Sequence, residues 1–375
     1  MKIAQVAPLY ERVPPVSYGG TERIVSYLTE ELIRQGHDLT LFASGDSLTK
    51  AKLVAPCDSS LRLNPYYVDS MAYNFLQLER VFQMAESFDI IHFHIDYLHF
   101  PLSRRQKLAQ VTTLHGRLDI PDLIPLYQEF TEMPVVSISN AQRSPLAWAN
   151  WQGTVYHGLP LDLLGFKKDQ GHYLAFLGRI SPEKRVDRAI EIAKSVRMKL
   201  KIAAKIDAAD REYFDREIGH LLDDPCVEFI GEIGDDQKEE FLANAYALLF
   251  PIDWAEPFGL VMIEAMACGT PVVAYRQGSV PEVIDDGVTG FVVEGIQESA
   301  RALEKIQHFD RRRCREVFEE RFSVERMTRD YVHIYEKLIS ARAHQAGSLS
   351  YGAKPSLTER KDSVPTRESS YSEER

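Results

Sequence analysis

The sequence predicts an α/β protein of two doubly wound parallel-sheet domains that face each other across a cleft. Three observations lead there. Short β-rich runs alternate with amphipathic stretches along most of the chain, the signature of βαβ units. The alternation comes as two series, interrupted once near residues 160–172 by a polar, glycine-containing stretch without strand period. A chain of 375 residues is also long enough for two domains of ordinary size, each burying its own core.

In the first series, strands are expected at 2–7, 39–43, 89–94, 111–115 and 135–139. Between the first two, residues 20–35 read as a helix, with Ile24, Leu28 and Leu32 on one face and Gly36 as its stop. The second series places strands at 173–177, 200–203, 227–230, 247–251, 271–274 and 291–293. Its helices are expected at 181–196, opened by a Ser cap and Pro182, and at 210–222, 237–244 and 260–267. The expected division is an N-terminal domain over 1–165, a C-terminal domain over 166–322 and a closing helical segment over 323–342, its helix spanning about 324–338. Residues 343–375 are rich in Ser, Glu, Arg, Pro and Gly with almost no aliphatics, so burial cannot offset their ordering entropy and disorder is expected.

Composition narrows the function. Hydrophobic residues at 45% and charged ones at 26% fit a soluble globular protein. No apolar run approaches the roughly 18 residues that cross a bilayer. The first apolar stretch is too short for a signal peptide and reads as a buried strand. Cys57, Cys226, Cys268 and Cys314 are scattered, with no Cys-x-x-Cys pair, which points to reduced thiols in the cytoplasm. A net charge of -11 argues against a nucleic-acid partner. One small basic cluster, Arg104, Arg105 and Lys107, has two readings, a solvated helix end or a contact with an anionic membrane.

Absent motifs decide as much. No two glycines are separated by one residue, so the dinucleotide fingerprint is missing; there is no P-loop and no Asp-x-Asp metal clamp. Among the motifs present, Glu256 to Glu264 is the strongest. Pro257 and Gly259 suit a tight turn into a helix whose first N–H groups are free for an anion. Glu264 inside that helix could accept ribose hydroxyls, and Glu256 before it sugar hydroxyls. A surface Glu and a core-facing helix Glu bonded to backbone would show the same spacing. Gly19 and Gly20, in Tyr18-Gly-Gly-Thr-Glu22, let backbone approach a ligand at the opening of the first helix, unless they are merely a flexible loop. His115 ends a strand on the cleft side, as does Asn140 with less force. A rival constellation is His92, His94 and Asp96 alternating on one strand with His99 nearby, a spacing that can hold a hydrolytic zinc.

The segment from Glu256 through Ala274 resembles the Glu-x7-Glu block of retaining family-4 glycosyltransferases with the GT-B fold. The run Phe176-Leu-Gly-Arg179-Ile-Ser-Pro-Glu-Lys184 is similar to that family's phosphate-binding strand–turn–helix, and the similarity extends from Met1 to about residue 340. The resemblance implies sugar transfer from a nucleotide-diphosphate sugar, most commonly a UDP-hexose, to an acceptor hydroxyl with retention of configuration. It implies Arg179 and Lys184 as the diphosphate clamp and Gly19 and Gly20 over the donor phosphate. Glu256, Phe258, Gly259, Leu260 and Glu264 would complete the donor site, with His115 near the donor sugar. Glu22 and Asn140 are weaker candidates on the acceptor side, where a glycan, lipid or small molecule would bind. His157-Gly158 matches a hinge-side segment and is read as structural, and the last helix is expected to cross back to the N-terminal domain. No metal or other cofactor is implied. An epimerase, a phosphorylase or an inert nucleotide-sugar-binding module on the same architecture remain as other readings.

Overall fold

A computed structural model describes residues 1–351 except 17, 18, 63 and 65, with side chains through 344. Seven strands form the first sheet: β1 (Lys2–Val6), β2 (Asp38–Phe42), β3 (Lys52–Val54), β4 (Ile90–Phe93), β5 (Gln110–Thr113), β6 (Val135–Ser137) and β7 (Trp151–Thr154). Six form the second: β8 (Tyr173–Arg179), β9 (Leu200–Lys205), β10 (Val227–Gly231), β11 (Ala245–Phe250), β12 (Val272–Tyr275) and β13 (Gly290–Val293). The strand orders are β3-β2-β1-β4-β5-β6-β7 and β10-β9-β8-β11-β12-β13, with parallel neighbours throughout. Each order reverses once, at β1/β4 and at β8/β11. A crevice opens outside the carboxyl ends of the strands at such a point, and both point into the same cleft.

The central strands are where the sequence places them, because strands buried on both faces are continuous apolar runs. β3 and β7 were not expected. Both are sheet edges with half-buried residues, so neither carries a strong pattern. The helices Ser70–Gln83, Ile296–Ile306 and Arg311–Arg321 also add to the expected set. The expected helix 210–222 is instead a succession of short 3-10, α and π turns from Ala208 to Asp223.

A larger correction concerns the segment after β8. The helix expected from 181 begins at Val186, and Arg185 before it has a left-handed backbone at φ 53°. Residues 181–184 form a turn, closed by Lys184 N–H donating to the Ser181 carbonyl at 3.1 Å. Glu183 offers its carbonyl to Asp253 N–H at 2.9 Å, which ties this turn to the loop after β11. Arg179 therefore ends a strand and Lys184 rides on a turn, so neither sits on the first turn of a helix.

The last helix runs Val324–Tyr351, longer than expected, and takes in the first part of the segment expected to be disordered. Residues 352–375 lie outside the described ones. Its Met327, Tyr331, Ile334 and Tyr335 share a core with Ile3 of β1 and with Ile24, Leu28 and Leu32 of the first helix, Gly20–Arg34. Each fully buried aromatic contributes roughly 2–3 kcal/mol. Where the chain enters this helix, Leu159 N–H donates to the Phe322 carbonyl and Val324 N–H to the Leu159 carbonyl, both at 2.9 Å. A Cβ on Gly158 would stand 2.3 Å from the Ser323 carbonyl oxygen. Gly158→Ala must push the two segments apart, and its melting temperature should fall with a loss of about 1–3 kcal/mol in a thermal unfolding scan.

Candidate active site

Between the two sheets lies a cavity of about 460 Å³ lined by residues of both halves. From the N-terminal half come Gly19, Gly20, Glu22 and His115. From the C-terminal half come Arg179, Lys184, Glu256, Phe258, Gly259, Leu260 and Glu264. Among the residues that the family resemblance assigns to the donor and acceptor sides, Asn140 alone is not part of this wall. It is the first residue of a short helix, Asn140–Arg143, beside the Glu282 carboxylate, which accepts from the backbone N–H groups of Asn140 (2.7 Å) and Ala141 (2.6 Å) and from Tyr156 Oη (2.9 Å). Asn140 thus fastens the two halves together outside the cavity.

The Glu256 loop and the helix after it form one unit. The helix spans Leu260–Ala267, as the sequence predicts, and Gly259 caps it at φ 79°, a conformation that glycine adopts without a Cβ penalty. The loop is held from behind by Ser279, whose Oγ donates to the Phe258 carbonyl at 2.8 Å and whose N–H donates to the Glu256 carbonyl at 3.0 Å. Glu256 is 8% exposed. Its Oε2 takes an ion pair from Lys184 and a hydrogen bond from Trp254 Nε1 at 3.1 Å. Lys184 Nζ sits 4.9 Å from the centre of the Trp254 ring, so the ammonium is held by a carboxylate and a π-face together.

Glu264 is not simply bonded to backbone. It pairs with Lys238 at 2.8 Å; Lys238 also meets Asp235 at 3.2 Å, and Asp235 pairs with Arg23 of the first helix. This relay crosses the cleft. Arg62 makes a second crossing to Asp207 at 2.7 Å. Arg179 stands among acids, paired with Glu183 and lying 3.3 Å from Asp210 and 3.8 Å from Asp207. The cations expected from the sequence are thus present in a balanced cluster, and an incoming anion would compete with carboxylates for them.

Glu22 is buried in the first turn of its helix, and burial pushes its carboxyl up to about 7. It keeps its proton to about pH 7 when folded but only to the ordinary 4.5 when unfolded. The folded state therefore binds more protons in that window, and stability falls as pH rises through it. Glu22→Gln, which cannot ionise, should melt with the wild type at pH 4 and above it at pH 8, by a few kcal/mol at most.

His115 stands at the cavity wall with its ring stacked on His157, 5.4 Å between centres. Burial pushes its imidazole down to about 3, so the ring is neutral. His157, read from sequence as structural, lines the cavity as well and packs edge-on against Phe258 at 4.8 Å. The rival histidine constellation is spent on internal bonds. His92 uses both ring nitrogens, on Tyr335 Oη and Thr113 Oγ1, each at 2.7 Å. His99 stacks on Phe93, on the other face of β4, and bonds Ser103 and Thr112. Asp96 leaves the strand period at φ 49°. Among the described residues no three His, Cys, Asp or Glu side chains are grouped to hold a metal. In the basic cluster, Arg104 is engaged by Glu129 and Glu132 and lies over the Phe130 ring. No described helix is long and apolar enough to cross a membrane.

Sequence reasoning missed Lys238, Arg23 and Arg62, which pair with acids far along the chain, and Trp254, whose ring meets the distant Lys184 although its N–H bonds the nearby Glu256. Gln5, a polar residue within the buried strand β1, was a signal that could have been followed.

Two family profiles match the chain, and they divide it as the sheets do. Residues 18–152 match a family described as Glycosyltransferase Family 4, and residues 165–319 one described as Glycosyl transferases group 1. The chain is a family-4 glycosyltransferase with the GT-B fold. A similar relative is the N-acetyl-alpha-D-glucosaminyl L-malate synthase of Bacillus anthracis, 28% identical over 85% of this chain and 94% of that protein. The D-inositol 3-phosphate glycosyltransferase of Mycolicibacterium smegmatis is 31% identical, over 48% of this chain and 43% of that one. Among solved structures, the sucrose-phosphate synthase of Thermosynechococcus elongatus aligns with a TM-score of 0.75 at 18% identity, covering 91% of this chain and all of that one. HepE of Anabaena, in complex with UDP and glucose, aligns with a TM-score of 0.68 at 18% identity, over 90% of this chain and 100% of its own. These two likenesses concern the fold.

Proposed function

We propose that this glycosyltransferase moves a hexosyl group from a nucleotide-diphosphate sugar, a UDP-sugar first among candidates, to an acceptor hydroxyl with retention of configuration. The observation that carries this is the unit made by Lys184, Glu256 and Gly259 on the cavity wall, opposite His115. The first N–H groups after Gly259 and the Lys184 ammonium offer positive charge to a diphosphate, on which negative charge grows as the glycosidic bond breaks. Arg179 joins them when the diphosphate displaces Glu183. Both bonds to Glu256 fall on Oε2, which leaves Oε1 for a sugar hydroxyl. Glu264, oriented by Lys238, holds the ribose. With that much charge compensation from the chain, the leaving group needs no metal in this reading.

Retention follows from the family resemblance, and a same-face route in which the leaving phosphate takes the acceptor proton suits a site without an evident nucleophile. UDP and glucose in HepE support the choice of donor. The acceptor would enter from the N-terminal side, past Glu22. None of the four cysteines is in a disulfide, which fits a cytoplasmic enzyme. A turnover assay over a panel of UDP- and GDP-sugars tests the reading. Transfer or slow donor hydrolysis supports it, whereas isomerisation, phosphate-dependent cleavage or binding without turnover would replace it by an epimerase, a phosphorylase or a binding module.

A further inference from the structure

A line of buried hydrogen bonds connects the C-terminal helix to the cavity wall. Gln5 Nε2 donates to Tyr335 Oη at 3.2 Å, and Gln5 Oε1 lies 2.8 Å from His94 Nε2. His94 Nδ1 in turn lies 2.9 Å from His115 Nε2. Gln5 and Tyr335 are fully buried and His94 is 2% exposed, so water does not compete for these bonds. Burial also keeps both imidazoles neutral, with His94 well below the usual histidine range.

The chemistry of the groups fixes the direction. An amide oxygen can only accept, so His94 carries its proton on Nε2. A neutral imidazole has one proton, which makes His94 Nδ1 an acceptor. His115 must then donate from Nε2, and its Nδ1 is left as a bare lone pair. That atom is buried without a hydrogen-bond partner, in a residue that lines the cavity. The other end of the same amide runs in the matching sense. Its NH2 group donates to Tyr335, whose hydroxyl is left to donate to His92 Nδ1, and His92 Nε2 then donates to Thr113. One side-chain amide thus sets the sense of every bond on both sides of it.

We propose that Gln5 and His94 are positioning residues that set the tautomer of His115, so that its Nδ1 accepts a hydrogen bond from a hydroxyl of the bound sugar. A hydroxyl satisfies this lone pair, whereas a group that can only accept leaves it unpaired, a penalty that favours polyhydroxylated ligands at this point of the wall. The ligand assignment rests on reading the cavity as the donor-sugar site; the tautomer does not.

The tautomers are directly measurable by imidazole nitrogen NMR on protein labelled with nitrogen-15 histidine, the His115 signal being assigned by its loss in His115→Asn. The expected wild-type result is a proton on Nε2 and none on Nδ1 in both His94 and His115. Gln5→Met keeps the volume and removes the acceptor, so the Nδ1–H tautomer should appear in both rings. In that variant kcat should fall about tenfold, while UDP affinity by titration stays within about twofold. A proton on His115 Nδ1 in the wild type would mean that the amide is turned the other way, and would overturn the proposal. So would an unchanged pair of tautomers in Gln5→Met. The wild-type spectrum decides even if the variant does not fold. Absence of turnover with every nucleotide sugar would overturn the reading of the cavity and leave the NMR result to judge this proposal alone.

Discussion

Lys184→Ala is expected to lower kcat roughly 100- to 1,000-fold, the cost of removing one preorganised group that faces developing charge. Two losses combine. The leaving diphosphate loses a cation, and Glu256 loses the ion-pair partner that holds its Oε2. Glu256 keeps the Trp254 bond and stays buried, so the loop should move little. Circular dichroism and the melting temperature should therefore change far less than activity. Glu256→Gln should likewise cost activity, but the double variant should lose much less than the product of the two single losses, because each single change disrupts the same pair. Full activity in both single variants would refute the assignment of this pair.

Gly259→Val is expected to lose activity and stability together. A β-branched residue at φ 79° costs about 1–3 kcal/mol in backbone strain. Its Cβ would also stand 2.8 Å from Met262 Cε and 3.2 Å from the Phe250 ring. Phe250 is the last residue of β11, and Met262 lies in the first turn of the following helix. The simplest relief is to move the helix N-terminus away from the cavity, and a displacement near 1 Å at a binding group can cost about 100-fold in rate. Gly259→Ala, with the same backbone demand but less bulk, should fall between wild type and valine. Steady-state kinetics and thermal unfolding of the three proteins check the order.

Much of this was legible in the sequence where a residue's role follows from its neighbours in the chain. The helix Leu260–Ala267 and its glycine cap could be read from Pro257 to Glu264, since a turn and the apolar run that follows it are local properties. The central strands of both sheets could be read because their apolar runs have no other stable place than between two layers. The edge strands β3 and β7 could not, because an edge is defined by its single neighbour. The turn at 181–184 has the sequence of a helix, since Ser-Pro-Glu is a good helix start, and the bond from Asp253 to Glu183 shows why the chain waits until Val186.

By itself, the sequence determined two parallel-sheet halves, a cleft between them, and the motif residues on its C-terminal wall from Arg179 to Glu264. Tertiary structure alone decided how the polar groups of the site are paired. Arg179 reads as an open cation until the fold places Glu183, Asp207 and Asp210 around it. His92 and His94 have a spacing that suits either a metal or a strand end with satisfied hydrogen bonds, and Tyr335, from more than two hundred residues away, and Gln5 decide for the second. The physical reason is the same in each case. Burial raises the cost of an unpaired polar group, and which partner removes that cost is settled by distance in space, on which spacing along the chain is silent.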